Sequence, residues 1–118
     1  MQHKLKTLLE ASALSQGYQV QVEWLIGNNR RVDVATHFGS NPSHGELHLY
    51  EIKTADTAED CVRQAIGQLY EYTYLCGLEA FSITNLIVVG PAPSTQAVTD
   101  MLKILSKDKP YKISYQSL

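Results

Sequence analysis

The 118-residue sequence contains only two cysteines, Cys61 and Cys76. Two thiols cannot build a disulfide framework or a four-thiolate metal site. Both fall in one predicted helix, where a rise of about 1.5 Å per residue separates them by roughly 22 Å, too far for a disulfide. We therefore expect a reduced, cytoplasmic protein.

Long hydrophobic runs are also lacking. The longest is Leu86–Val89, which is the size of a strand, whereas a membrane-spanning helix needs about 20 apolar residues. We expect no membrane partner.

The sequence has no excess of positive charge. Ten lysines and arginines are set against twelve acids, for a net charge of −2. A protein that holds nucleic acid by bulk charge is usually basic. If this chain binds DNA or RNA, it must use local lysines and arginines, or metal ions that screen its acids.

Internal repeats and linkers are absent, and 44% of the residues are hydrophobic. One globular domain over residues 1–118 is expected. Hydrophobic spacing and turn residues predict helices over 3–16, 57–76 and from Ser94 or Thr95, with strands over 18–25, 31–36, 46–53, 83–89 and 111–115. The order α-β-β-β-α-β-α-β predicts an α/β fold with a mixed sheet flanked by helices.

Finer expectations concern which side chains point inward and where the helices begin. Val20, Val22 and Trp24 should share one strand face, and residues 39–45 should form a loop. Asp56 or Thr57 should cap the second helix. The fourth strand should be central and covered on both faces. Buried helix positions are predicted at Val62, Ala65, Ile66, Leu69, Thr73 and Cys76, and at Val98, Met101, Leu102 and Leu105.

The third strand carries two charged residues at its end. Alternation sets Leu47, Leu49, Glu51 and Lys53 on one face and His48, Tyr50 and Ile52 on the other. Because an unpaired buried charge is costly, we expect Glu51 and Lys53 to point into a polar cleft. A plain Glu–Lys pair on a half-exposed strand end is the alternative.

Asp33 lies in the preceding strand between two valines. If the second and third strands pair, Asp33 and Glu51 can converge into an oxygen-rich pocket that suits Mg²⁺. A neighbouring lysine can orient a water molecule or stabilise charge on a phosphoryl oxygen. Alternatively, Asp33 pairs with Arg30 or Arg31.

The second helix adds polar residues near the sheet. Gln68 and Tyr72 are neighbours at i and i+4, and we expect them along the rim where helix meets sheet, with Arg63 nearby. A solvated glutamine and a packed tyrosine are the alternative.

Asp33, the sequence Glu51-Ile52-Lys53, and the stretch Gln68–Tyr72 together resemble the PD-(D/E)XK, or restriction-endonuclease-like, nuclease superfamily. The Gln-x-x-x-Tyr spacing is similar to the branch that contains RecB-type nuclease domains and lambda exonuclease. The superfamily's α-β-β-β-α-β core matches the predicted elements over about residues 5–90. Each motif is short, and their order and placement carry the resemblance.

The resemblance implies a role for each matching position. Asp33, Glu51 and the Ile52 carbonyl would ligate Mg²⁺ or Mn²⁺, and Lys53 would position or activate the attacking water. Gln68 and Tyr72, with Arg63 beside them, would contact the site or the nucleic-acid backbone. The chain departs from the family pattern in having no proline just before Asp33. Glu10 is the one candidate for an outer acid on the first helix.

Two further groups keep alternative interpretations. His37, His44 and His48 could suggest zinc, although surface or loop histidines are the simpler interpretation. Lys103, Lys107, Lys109 and Lys112 could bind phosphate, or could be a solvated helix end, where cations are favoured.

The resulting hypothesis is a metal-dependent nuclease that hydrolyses DNA phosphodiester bonds, acting as a homodimer or in a larger nuclease complex where both strands are cut. The alternative is a non-catalytic nucleic-acid-binding or interaction module on the same fold.

Overall fold

The computed structural model describes residues 1–13, 17–27, 29–38, 46–78 and 82–118. Its elements are α1 (Gln2–Ala13), β1 (Tyr18–Ile26), β2 (Arg30–Phe38), β3 (Leu47–Ile52), α2 (Ala58–Leu78), β4 (Asn85–Gly90), α3 (Gln96–Ser106) and β5 (Lys112–Ser117). The predicted α/β class and element order are confirmed. The predicted loop over residues 39–45 and His44 lie outside the described residues, as does the end of the first helix beyond residue 13.

The five strands form one mixed sheet in the order β1-β2-β3-β4-β5. β1 pairs antiparallel with β2 and β2 with β3, whereas β3 pairs parallel with β4 and β4 with β5. Helices α2 and α3 connect the parallel strands and cover one face, where the larger core cluster lies. Helix α1 covers the other face through Leu5, which packs with Val34, Ile87 and Val89. β4 is buried on both faces, as predicted.

Thr57 caps α2, because its hydroxyl accepts a hydrogen bond from the Asp60 backbone N–H at 3.1 Å. Val62, Ala65, Leu69 and Cys76 are buried as predicted, whereas Ile66 and Thr73 are only half-buried. Tyr72 is buried instead, with 2% of its surface exposed. The helix is therefore rotated about its axis so that Tyr72 faces the sheet. Both cysteines of the chain lie buried in α2, and no disulfide joins them.

Helix α3 begins after Thr95, whose hydroxyl accepts from the Val98 backbone N–H. Val98 and Leu102 are buried and Leu105 is half-buried, but Met101 is 37% exposed, so its predicted inward position is wrong. The residue lies to one side of the stripe that meets the sheet. None of the helices formed by residues 2–13, 58–78 and 96–106 could cross a membrane.

The regular alternation of side chains between the two faces of the sheet is interrupted within β1 and β2. Val20 packs with the α1 cluster, whereas Trp24 packs with the cluster under α2, so their predicted common face is wrong. In β2, Val34 packs with the α1 cluster and Val32 with the cluster under α2. Strand pairing passes from Val22–Val34 to Trp24–Val32 and omits Glu23 and Asp33, and Glu23 has a left-handed φ of 50°. Such a backbone conformation is strained for a residue with a side chain. The irregularity lies beside Asp33.

Candidate active site

Two acids meet where β2 approaches the end of β3. The paired residues Ala35–Leu49 and Val34–Tyr50 are the last of the β2–β3 register in this direction, and continuing it sets Asp33 opposite Glu51. Asp33 Oδ2 accepts a hydrogen bond from the Ile52 backbone N–H at 2.8 Å. Its side chain thus bonds to β3 where the regular ladder stops.

The Glu51 side chain lies beneath α2. It is 2% exposed, and the Tyr72 hydroxyl lies 2.9 Å from Oε1 and 3.4 Å from Oε2. The same hydroxyl is 3.2 Å from the Arg31 carbonyl oxygen. Since a phenol has one proton to donate, Tyr72 bonds to one of these acceptors at a time.

Glu51 is an acid that its surroundings hold toward the protonated form. Burial, followed by the adjacent negative charge of Asp33, raises the pKa of Glu51 to about 7. The Tyr72 hydrogen bond and the Lys53 charge act in the opposite direction without cancelling the rise. Burial and the Glu51 charge also raise the pKa of Tyr72, which therefore stays a neutral donor at physiological pH.

Lys53 follows the last residue of β3 and is half-buried. Its backbone N–H donates to the Val89 carbonyl at 2.8 Å, which fixes the chain at this point against β4. The Lys53 charge lowers the pKa of Glu51, but by less than burial and Asp33 raise it. The predicted open cleft is not found at Glu51, because Tyr72 packs over the carboxylate and excludes solvent.

Of the three residues predicted to contact nucleic acid, Tyr72 alone joins the carboxylates. Gln68 is exposed on α2. Arg63 is also exposed, and its guanidinium donates to Asp60 at 2.6 Å. The burial of Tyr72 assigns it to Glu51 rather than to a surface ligand.

The alternative partners for Asp33 are wrong. Arg30 pairs with Glu71, and Arg31 contributes its backbone carbonyl next to Tyr72 rather than a guanidinium next to Asp33. The Gln2 side chain, which no sequence motif singled out, donates to the Asp33 backbone carbonyl at 3.0 Å. Gln2 and the Arg31 carbonyl were not predicted, because they reach the site through tertiary contacts with backbone groups, which local sequence pattern does not show.

The histidines do not form a zinc site among the described residues. His37 is 1% exposed, so the surface interpretation is wrong for it, and its ring contacts the Gln21 amide at 2.8 Å. His48 is bonded to Asn85 and Glu46.

The donor chemistry of the carboxylate pair fits a hard divalent cation. Asp33 Oδ1 and Glu51 Oε2 are the oxygens not already taken by the Ile52 N–H and by the shorter Tyr72 contact. A cation there would relieve the repulsion that raises the pKa of Glu51. Within the described ranges, no group of three or more His, Cys, Asp or Glu side chains is placed to hold a metal. Two carboxylates would therefore need water, substrate phosphate or the Ile52 carbonyl to complete the shell, an arrangement that suits Mg²⁺.

No protein-family model, curated protein or solved structure matches this chain. The site is therefore interpreted from its own geometry: two convergent acids, an adjoining lysine and a tyrosine that donates to the buried acid.

Proposed function

We propose that this chain is a metal-dependent nuclease of the restriction-endonuclease-like fold that hydrolyses DNA phosphodiester bonds. The observation that carries the proposal is the juxtaposition of Asp33 and Glu51, with Lys53 close enough to act on the Glu51 charge. A costly arrangement of like charges is typical of functional sites. The helix and strand order, which is also that of the PD-(D/E)XK core, supports the same proposal.

Asp33 and Glu51 would hold Mg²⁺ or Mn²⁺, with the Ile52 carbonyl as a further oxygen. The bound cation would supply a Lewis acid beside the scissile phosphate. The Lys53 ammonium would orient the attacking water and stabilise the charge that develops on the phosphoryl oxygens.

Tyr72 would act as a positioning residue. Its hydroxyl donates to the Glu51 carboxylate, and the Arg31 carbonyl lies within reach as a second acceptor. Tyr72 can therefore release Glu51 without leaving its own buried proton unpaired.

Cleavage assays test the proposal. The protein is incubated with supercoiled plasmid and with single-stranded DNA, in Mg²⁺, Mn²⁺ or chelator, beside the variants Asp33→Ala and Lys53→Ala. We expect metal-dependent nicking that both variants lose and that Glu46→Gln, an exposed acid at the far end of β3, keeps. Nicking that persists in Asp33→Ala and Lys53→Ala would show a contaminating nuclease and remove the proposal.

The second candidate is a non-catalytic nucleic-acid-binding or interaction module on the same fold. The burial of Glu51 favours it, since a carboxylate covered by α2 has no open path to a phosphate. DNA binding without cleavage, across both metals and both substrates, would select this candidate.

Because one site cuts one strand, nicking followed by slow linearisation is expected of a monomer, and concerted double-strand cleavage would indicate a homodimer.

A further inference from the structure

A groove lies at the β5 edge of the sheet, away from the carboxylates. It has a volume of about 600 Å³ and runs between the flank of α3 and β5. β5 is the outermost strand and α3 packs on the same face as α2. The groove is thus open at the sheet edge and lies on the side of the sheet that carries Glu51.

The groove has an apolar floor and a basic rim. Its accessible apolar lining is the exposed Ile104 and the half-buried Tyr115, next to the buried Leu102 and Ile113. Lys103, Lys107 and Lys112 line it as well. All three lysines are exposed, and none of the ion pairs among the described residues includes them. Among the residues that the structure describes, no acid lines the groove.

The gathering of these lysines is unusual for this chain. Residues 103–112 contain four lysines and one aspartate, while the whole chain is acidic with a net charge of −2. Attraction to the C-terminal end of a helix would account for Lys103 and Lys107 on α3. It does not account for Lys112, the first residue of β5, which also lines the groove. Two elements therefore contribute positive charge to one surface.

The groove shares no lining residue with the candidate active site, and the fully buried Val88 lies between them in the sheet. Glu51 is paired with Val88, and Val88 with Tyr115, so a single row of residues joins the acid to the groove. Two inter-strand spacings place the backbones of Glu51 and Tyr115 about 9.5 Å apart. From Tyr115 the groove follows β5 to Lys112, about a further 10 Å.

We propose that this groove binds the phosphodiester backbone of a single nucleic-acid strand, with the three lysines on the phosphates and the apolar floor against sugars and bases. Single-strand sites combine a positive groove with apolar or aromatic platforms. A duplex, whose bases are stacked inside, would leave the apolar surface of Ile104 and Tyr115 unused. The choice of nucleic acid over other polyanions rests on the proposed function.

Binding is tested without metal, so that cleavage plays no part. Fluorescence anisotropy is measured in chelator with labelled 20-nucleotide single-stranded DNA, RNA of the same sequence, and duplex DNA. The groove variant is Lys103→Ala with Lys107→Ala. Its matched control is Lys4→Ala with Lys6→Ala on α1, which removes the same charge from the opposite face.

We expect the single strands to bind more tightly than the duplex. The groove variant should lose affinity on the order of tenfold or more at 50 mM salt, and its salt slope should fall by about 1.4, since each lysine–phosphate contact on a single strand contributes about 0.7. The control should bind as the wild type does. Equal losses in both variants, tighter binding of the duplex, or no binding at 50 mM salt would overturn the inference. Thermal melting of each variant checks that the fold is kept.

The two proposals fail separately. Lysine-dependent binding by a protein that cuts nothing in Mg²⁺ or Mn²⁺ removes the nuclease and keeps the groove. Metal-dependent cutting that is unchanged in the groove variant, together with unchanged binding, removes the groove and keeps the nuclease.

Discussion

The two ends of β3 carry the same pair of chemical groups with opposite consequences. At the start, the Tyr18 hydroxyl donates to Glu46, and at the end, the Tyr72 hydroxyl donates to Glu51. Hydrogen bonds from Tyr18 and then from His48 lower the pKa of the exposed Glu46. Burial and Asp33 raise the pKa of Glu51 to about 7. Both tyrosine hydrogen bonds favour the charged carboxylate, but at Glu51 burial and the Asp33 charge outweigh this effect on the pKa.

The comparison separates a structural contact from a candidate site. Glu46 bonds to its neighbours at no electrostatic penalty. Glu51 is held beside a second acid in a place that disfavours its charge. Groups whose pKa is shifted by desolvation and a specific charged neighbour are enriched at functional sites. The following experiments act on one end of the strand with the other end as reference.

The largest expected difference is in cleavage. Glu51→Gln should reduce metal-dependent nicking by on the order of 10³-fold, because it removes a charge that holds the cation at the phosphate. Glu46→Gln should leave the rate within about twofold. Initial rates on plasmid at saturating Mg²⁺ measure both, and equal rates in the two variants would break the comparison.

The pH dependence of stability should differ in sign between the two acids. The folded-state pKa of Glu51 is above its unfolded value of 4.5, so its contribution is full below pH 4.5 and is lost as pH rises through about 7. This contribution of Glu51 to the free energy of unfolding is about 3 kcal/mol. The folded-state pKa of Glu46 is lowered, so its contribution is present above pH 4.5 and lost as pH falls.

Urea unfolding between pH 3 and 9, in chelator, measures these windows. Glu51→Gln should flatten the decline between pH 4.5 and 7 and leave the acid limb in place. A wild-type decline that survives in Glu51→Gln would assign it to another group.

Removal of the tyrosine hydroxyls tests the two hydrogen bonds directly. Tyr72→Phe should destabilise the protein by about 2 kcal/mol at pH 8, because it leaves a buried carboxylate without its donor. Tyr18→Phe should change the free energy of unfolding by less than about 0.5 kcal/mol, since its partner is exposed. At pH 5, where Glu51 is protonated, the Tyr72→Phe effect should shrink, and an unchanged effect would assign it to lost packing.

Metal binding should relieve the repulsion at one end of the strand alone. Mg²⁺ at ten times its Kd should raise the free energy of unfolding at pH 8 by about 1.4 kcal/mol, and chelator should reverse this. The gain should vanish in Asp33→Ala and persist in Glu46→Gln. A gain that persists in Asp33→Ala would place the bound cation elsewhere.

The smallest effect is expected from surface charge near the site. Arg63→Ala breaks an exposed pair with Asp60 and should cost less than about 0.5 kcal/mol in stability. It should also leave single-strand affinity closer to wild type than the groove variant does. A loss equal to that of the groove variant would restore Arg63 as a nucleic-acid contact.

The order of helices and strands and the two faces of β3 can be predicted from the sequence, which also limits the α2 cap to Asp56 or Thr57 and the α3 cap to Ser94 or Thr95. These features depend on spacing and on side-chain to backbone bonds within a few residues, so local pattern is sufficient to predict them. Through the resemblance to the nuclease superfamily, the sequence also grouped Asp33, Glu51 and Lys53 with Tyr72, Gln68 and Arg63, although the last two are exposed on α2.

The arrangement of these residues depends on tertiary packing, which local sequence pattern does not show. The rotation of α2 buries Tyr72 over Glu51, and the pairing break at Glu23 and Asp33 directs Asp33 to the Ile52 N–H. Because β5 lies at the sheet edge, Lys103, Lys107 and Lys112, which are separate in the sequence, line one groove. A one-dimensional pattern shows which side chains share a face. How far a helix turns about its own axis, and where a ladder breaks, is set by packing between elements distant in the chain.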